Sequence, residues 1–184
     1  MATDSGNAGV ARAGEVYRGP TSATAPTGTA SATTGFDGLG YLSDAGITEA
    51  RDRSTNNIVA WQNGDTVRTL VTEAGIAWTF TMLETKTATV EEYYGTLVTE
   101  SATEGTYDIN PSSTGGRKSY IIDTLDGAEL ERVYISEGEV TEVGERTRVS
   151  SDIDSYEVTV TGYPSAALGG ACARVWSTRL KTPA

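Results

Sequence analysis

The sequence predicts a mainly β fold, either a β-sandwich or a partly closed barrel, with one short flanking helix. Threonine is the commonest residue, at 29 of 184 positions, and it favours strands. The 21 glycines supply turns between those strands. Residues 76–85 alternate apolar and small polar side chains, as in a strand with one buried face. A chain this long can bury roughly 70% of its unfolded surface, so it needs neither a disulfide nor a metal to fold.

Residues 1–35 are predicted to form a flexible, extended N-terminal arm, and residues 36–184 the β-sandwich domain. The stretch 20–35 carries no charge and no large apolar side chain, so it has nothing to place in a core. Composition leaves two possibilities open. The arm is either a frayed tail or a segment that becomes ordered against a neighbouring subunit.

The domain begins near residue 36, where glycines alternate with Leu39, Tyr41 and Ile47. This spacing predicts a short strand closed by a turn. Residues 48–65 follow as a polar stretch that ends in an Asn-Gly turn, and they predict a long loop.

Three apolar residues lie within this polar loop: Ile58, Val59 and Trp61. An apolar tip on a polar loop indicates a contact with another molecule. The alternative is that the Trp61 indole folds back onto the core of its own domain.

The clearest strand, residues 76–85, is expected to pair as a hairpin with residues 66–73 across Ala74-Gly75. A short helix follows. Thr89 and Glu92 have the spacing of a capping box, and Gly95 is suited to a left-handed C-terminal stop.

The second half of the chain predicts a meander of strands. A turn at Gly127 separates the first two, and Pro164 ends the fourth. The predicted strands cover residues 118–124, 129–135, 139–149, 156–161 and 171–180. Seven to nine strands and one helix therefore fit a sandwich or a partly closed barrel.

The charge and the absent residues exclude several classes of protein. The net charge is −11, and the chain has no histidine and one cysteine, so it cannot build a Ser-His-Asp triad, a zinc finger or an intrachain disulfide. With three lysines it also lacks the cationic groove of a nucleic-acid binder. Neither a signal sequence nor a run of 18 apolar residues is present, so export and membrane insertion are not expected.

No group of residues predicts an active site, a cofactor site or a metal site. Glu91 and Glu92 are adjacent on the predicted helix and point in different directions. Asp152 and Asp154 lack the rest of a calcium loop, and Cys172 lies in a strand pattern typical of a buried thiol. The sequence therefore predicts a protein that is not an enzyme. An open sheet with polar faces and unpaired edges instead favours self-association.

An ordered series of segments resembles the major tail tube proteins of long-tailed, siphovirus-type bacteriophages, especially those of actinobacteria. The segments are LGYLSDAGI at 39–47, AWQNGD at 60–65, WTFTMLE at 78–84, YYG at 93–95, VTVTGYP at 158–164 and VW at 175–176. The resemblance covers about residues 36–180. Residues 1–35 and 100–117 have no secure counterpart.

The resemblance implies a β-sandwich subunit that forms hexameric rings, stacked into a hollow tube around a tape-measure protein. Tail terminator and distal tail proteins are the other partners implied, and no membrane is involved. Genomic DNA passes through such a tube without specific binding. The protein is then expected in the virion, and in the host cytoplasm during assembly. The loop at about 48–65 would reach the adjoining ring through Asn57, Ile58 and Trp61.

The excess of acidic residues would have a role in such a tube. Carboxylates that line a bore would repel DNA phosphates near the wall, even with screening over about 8 Å. Glu129, Glu131 and Glu157 on the polar strand faces are the candidates for this lining.

Three other functions remain open at the level of sequence. The first is a secreted or surface β-sandwich binding module. The second is an enzyme that uses carboxylates alone, such as a glycosidase. The third is the tube protein of a contractile tail or of a type VI secretion system.

Overall fold

The computed structural model describes residues 8–181. Its elements, in chain order, are β1 (Ala13–Gly19), β2 (Asp37–Gly38), β3 (Leu42–Val59), β4 (Thr66–Met82), α1 (Thr87–Tyr94), β5 (Thr99–Glu100), β6 (Gly105–Thr106), β7 (Lys118–Asp126), β8 (Glu129–Val143), β9 (Tyr156–Gly162) and β10 (Ala173–Ser177). Two 3₁₀ turns cover Ala166–Leu168 and Thr178–Leu180. The predicted mainly β class with one short helix is confirmed.

Eight strands form one antiparallel sheet, and β5 with β6 forms a separate small ribbon. The order in the large sheet is β2-β1-β7-β8-β9-β4-β3, with β10 added beside β8. The long strand β8 changes partners along its length, because β7 and β10 flank residues 131–135 while β9 flanks residues 138–143. The two halves of the sheet share one core, and among the described residues no pairing between β1 and β3 closes a barrel.

The main core lies between these two halves of the sheet. Alternate residues of β4 and β9 enter it from one half, and alternate residues of β1, β7 and β8 enter from the other. Its fully buried large side chains include Trp78, Phe80, Tyr120, Ile135 and Tyr156. Burial of each such side chain contributes roughly 1.5–3 kcal/mol, and this core holds the subunit together.

Residues 13–36, which the sequence places mostly in a flexible arm, form part of this subunit. β1 pairs with β7 along its whole length, with Val16 opposite Ile122. The segment after β1 then crosses the outer face of the sheet and ends at buried Phe36, which packs edge-on against Tyr134. The segment is therefore folded onto its own subunit, a third possibility beside the two that composition left open.

A buried ion pair fastens this low-complexity segment to the sheet. The Arg132 guanidinium donates to both carboxylate oxygens of Asp123, at 2.7 and 2.6 Å, and also to the Ser31 carbonyl at 2.6 Å. A hydrogen bond to a backbone carbonyl, a group that every residue carries, thus anchors a segment that has no large apolar side chain to bury. Residues 1–7 of the predicted arm lie outside the described residues.

The predicted hairpin between residues 66–73 and 76–85 is wrong. Both segments belong to the single strand β4, and its hairpin partner is β3. Gly75 lies opposite Asp52 in extended pairing, and the turn lies instead at residues 60–65. Residues 48–59, expected in a loop, therefore form most of β3.

Helix α1 ends as predicted, because Gly95 adopts the left-handed conformation at φ 61°. The predicted capping box is wrong, since Lys86 is the N-cap and no side chain caps the helix start. Glu92 points into the protein instead. Its carboxylate accepts hydrogen bonds from Lys118 Nζ at 2.7 Å, Arg18 Nη1 at 3.3 Å and the Tyr120 hydroxyl.

Substitution of Glu92 by alanine should destabilise the subunit by about 3–5 kcal/mol. The change leaves Arg18 and Lys118 in a buried site without their shared carboxylate. Urea unfolding followed by tryptophan fluorescence measures the effect. The matched control is Glu104→Ala, an exposed position that should change the free energy of unfolding by less than about 0.5 kcal/mol. A Glu92→Ala protein as stable as the wild type would contradict this account of α1.

Candidate assembly surfaces

The β3–β4 hairpin extends far beyond the sheet. Strand β9 pairs with β4 only at Ala77–Met82, so the remainder of the hairpin has no third strand within the part of the chain that the structure describes. We call residues 50–75 the distal ribbon, and all of them except Ala60 are exposed. With 17 residues, β4 spans roughly 50 Å. An isolated two-stranded ribbon is marginally stable in water, so a partner surface would stabilise this one.

Large apolar side chains along the distal ribbon are exposed to solvent. They are Ile58, Val59, Trp61, Val67, Leu70 and Val71. Trp61 at the tip is 99% exposed, so it does not fold back onto its own core. A contiguous set of exposed apolar side chains on a paired ribbon is typical of a protein contact surface.

The three residues predicted to contact the adjoining ring all lie on the distal ribbon but point in different directions. Asn57 and Ile58 are neighbours on β3, so their side chains lie on opposite faces of the ribbon. Asn57 is opposite Thr69, and its side-chain oxygen accepts a hydrogen bond from the Thr69 hydroxyl at 2.8 Å. Trp61 lies in the turn that closes the ribbon, where Ala60 and Asp65 are hydrogen-bonded.

A second surface is formed by β4, β9 and the end of β8 on the side away from the core. We call it the threonine face. Hydroxyl pairs link the strands, with Thr79 Oγ1 2.9 Å from Thr159 Oγ1 and Thr141 Oγ1 2.8 Å from Thr161 Oγ1. Its charged members are acidic: Glu139, Glu142 and Glu157. Residues 77–82, 138–143 and 156–162, which build it, contain no lysine or arginine.

The three acidic residues predicted to line a bore are not on one surface. Glu157 alternates with the buried residues Tyr156 and Val158, so it points outward on the threonine face. Glu129 and Glu131 lie four and two residues before Val133 on the same strand, so they share the core-side face of Val133 and Ile135, at one end of the sheet.

Glu129 is also engaged within the subunit. The Thr178 hydroxyl donates to its carboxylate, and Lys181 lies 3.7 Å away. The hydrogen bond from Thr178 and the charge of Lys181 lower the pKa of Glu129. Part of its charge is therefore neutralised at the position that was predicted to repel DNA.

A cavity of about 370 Å³ lies beside α1. We call it the α1-end cavity, and it is lined by Arg18, Gly19, Pro20, Asp37, Glu91, Gly95, Thr96, Leu97, Gly115, Arg117 and Lys118. Leu97 at its rim is 81% exposed. Gly95 and Gly115 are in close backbone contact, and a Cβ on Gly95 would lie 2.5 Å from the Ser113 carbonyl oxygen.

Glu91 links this cavity to the sheet. Its carboxylate accepts from Arg18 Nη2 at 2.5 Å and from the Val98 amide at 3.0 Å. Burial raises the pKa of Glu91, but the hydrogen bonds from Arg18 and Val98 outweigh it, so the pKa is lowered overall. Sequence reasoning missed the cavity because its lining comes from four separate segments.

Residues 8–181 contain no group of three or more acidic, cysteine or histidine side chains that could hold a metal ion. None of the helices in this range is long and apolar enough to cross a lipid bilayer.

An open antiparallel sheet with free edges and an unpartnered ribbon is typical of a structural subunit that assembles with copies of itself. The family comparison agrees with this class. Residues 1–176 match the family model described as "Phage tail tube protein", and the chain belongs to that family.

A solved structure shows the same fold at low sequence identity. A chain of the extracellular contractile injection system PVC sheath–tube complex in its extended state has a TM-score of 0.50 and 10% identity. That match covers 96% of this chain and 100% of the other. A chain of the anti-feeding prophage (AFP) baseplate gives a TM-score of 0.46 at 11% identity, covering 95% and 97%. No curated protein matches the sequence.

Acidification should remove the stabilisation that Glu91 supplies. Because its folded pKa is below the ordinary value of 4.5, this contribution is present above about pH 4.5 and is lost as pH falls through the lowered value. Urea unfolding midpoints measured between about pH 3 and pH 7 follow this loss. Glu91→Gln should flatten the acid side of the profile, whereas the exposed control Glu104→Gln should leave its shape unchanged. An unchanged profile in Glu91→Gln would show that the Arg18–Glu91 pair contributes nothing.

Proposed function

We propose that this chain polymerises into hexameric rings, and that the rings stack into the hollow tail tube through which phage DNA enters the host. The observation that carries the proposal is the distal ribbon, because it exposes apolar side chains and lacks a third strand. A subunit alone gives that ribbon no partner. A neighbouring copy would supply one.

Ring closure is proposed to use the free edges of the large sheet. Strand β3 has 18 residues and a hydrogen-bonded neighbour on one side only, and β2 and β10 form the other edges. Edge strands carry unpaired backbone donors and acceptors that pair readily with another chain. Such pairing between copies would join the sheets around the ring.

Stacking is proposed to use the distal ribbon, including Asn57, Ile58 and Trp61. The ribbon extends beyond the sheet in one direction, so its contact with another copy joins two different surfaces. Contacts of this head-to-tail kind generate open polymers when the geometry does not close on itself. A stack of rings is such a polymer.

The bore is proposed to be lined by the threonine face. Glu139, Glu142 and Glu157 on this face give three carboxylates per copy, or 18 in a ring of six, and no cation lies on these strands. DNA phosphates would meet hydroxyl groups and like charge, so the DNA would slide without binding. Glu157 remains a bore residue in this proposal, whereas Glu129 and Glu131 do not, since they lie on the other side of the sheet.

The remaining partners follow from this function. The tube would enclose a tape-measure protein during assembly and would contact tail terminator and distal tail proteins at its ends. The subunit would have no enzymatic role. A second candidate is the tube of a contractile tail, which the likeness to a chain of a sheath–tube complex favours. Co-assembly with a sheath protein would distinguish the two tails.

Negative-stain electron microscopy of the purified chain across a concentration series tests the proposal. Rings at low concentration and tubes at high concentration are expected. A chain that stays monomeric at every concentration, as measured by sedimentation in parallel, would contradict it.

Trp61→Ala should weaken stacking without affecting folding. The indole is 99% exposed in the subunit, so its removal should change the free energy of unfolding by less than about 0.5 kcal/mol. The critical concentration for tubes should rise by about tenfold or more, as expected for a buried aromatic anchor in an interface. Leu180→Ala, an 86% exposed apolar position outside the ribbon, is the matched control and should assemble normally. If Trp61→Ala forms tubes like the wild type, this residue is not a stacking contact.

Glu157→Lys should leave the tube intact and slow the passage of DNA. Each ring of six would replace six carboxylates by six ammonium groups, which bind phosphates in a salt-dependent manner. The rate of DNA release from phage built with the variant should fall, and added salt should restore it. Glu104→Lys makes the same charge change at an exposed site away from the threonine face. An equal effect from both variants would reject the threonine face as the bore surface.

A further inference from the structure

We infer that the α1-end cavity of one copy receives the Trp61 side chain of another copy. The inference rests on the proposed stacking and goes further, because it names the receiving surface. Three observations support it: the position of the cavity in the subunit, its size and its chemistry.

The cavity lies at the end of the subunit opposite the ribbon tip. Strand β4 runs from the tip at Thr66 to Met82, and α1 and residues 95–97 follow directly. Four successive antiparallel pairings separate β1 from β4, so both strands run in the same direction and β1 also ends here. The cavity is lined by the end of β1, by Glu91 of α1 with residues 95–97, by Asp37, and by residues 115–118, which lead into β7. A ribbon pointing away from one ring would therefore approach the cavities of the next.

The cavity is of a size suited to one aromatic side chain. Its volume of about 370 Å³ is near the lower end of the 300–1,000 Å³ typical of small-molecule sites. The groove between β1 and β3, at about 770 Å³, is twice as large. A tryptophan side chain buries roughly 150–250 Å² in such a contact, and its burial would also cover exposed Leu97 at the rim.

The chemistry of the lining also suits an indole. Pro20 and Leu97 supply apolar surface, and the side chains of Arg117 and Lys118 bring cations to the same wall. Cations bind the face of tryptophan more strongly than that of other aromatic rings. Arg117 already lies 4.5 Å from the centre of the Tyr163 ring, which shows that its guanidinium stacks in this way.

Disulfide cross-linking in assembled tubes tests the inference. Gln62→Cys places a thiol beside Trp61 without removing the indole, and Leu97→Cys places one at the cavity rim, both in a Cys172→Ser chain. A disulfide forms only when the two Cα atoms come within about 7 Å. Because each copy carries one partner of each kind, oxidation should give a ladder of covalent multimers on a non-reducing gel.

The matched control pairs Gln62→Cys with Val10→Cys, which lines the cavity of about 220 Å³ at a different place in the fold. It should give no ladder. A ladder from the Val10 pair but not from the Leu97 pair would overturn the inference. Tubes that form normally and give no ladder from either pair would overturn it as well, while leaving stacking itself intact.

A charge exchange gives an independent measurement. Asp65→Arg and Arg117→Glu should each raise the critical concentration for tubes by about tenfold, and the double variant should recover most of that loss. Melting temperatures confirm that each variant folds. Two single losses that add in the double variant would place Asp65 and Arg117 in separate contacts. If the wild-type chain forms no rings at all, the proposed function itself fails, and this outcome is distinct from the others.

Discussion

The architecture depends on the different surroundings of the two parts of β4. Its last six residues lie between β3 and β9 and place Trp78, Phe80 and Met82 in the core. Its first eleven residues pair with β3 alone. The buried end fixes the register and direction of the whole hairpin, because a shift of one residue would expose all three core side chains. The exposed part is thereby held out from the subunit, although it buries nothing itself.

The distribution of basic residues affects both the stability of the subunit and the charge of the threonine face. With 14 basic against 25 acidic residues, most cations can be expected to pair with carboxylates. Arg18, Lys118 and Arg132 are held in buried or half-buried ion pairs that fasten α1 and the low-complexity segment to the sheet. The threonine face is left without a cation. The interactions that stabilise the subunit therefore also keep positive charge away from the surface proposed to meet DNA.

Sequence patterns predicted those elements that have one buried face. The alternation around residues 76–82 and 156–161, the turn at Gly127 and the helix stop at Gly95 all follow local rules that tertiary contacts did not override. The same reasoning gave a loop for residues 48–59, because a ribbon exposed on both faces has no apolar period to detect. It identified the apolar tip but not the strands that carry it.

The sequence by itself determined the β class, the absence of histidine chemistry and the acidic balance, because composition and period-two alternation are local properties. Only the tertiary structure decided that β1 joins the sheet and that the segment after it packs on the sheet, since backbone pairing holds β1 and Arg132 from a distant strand holds the segment. It also decided which carboxylates share a face, and it built the α1-end cavity from separate segments. Such features depend on which strands become neighbours, and no local pattern in the chain encodes that choice.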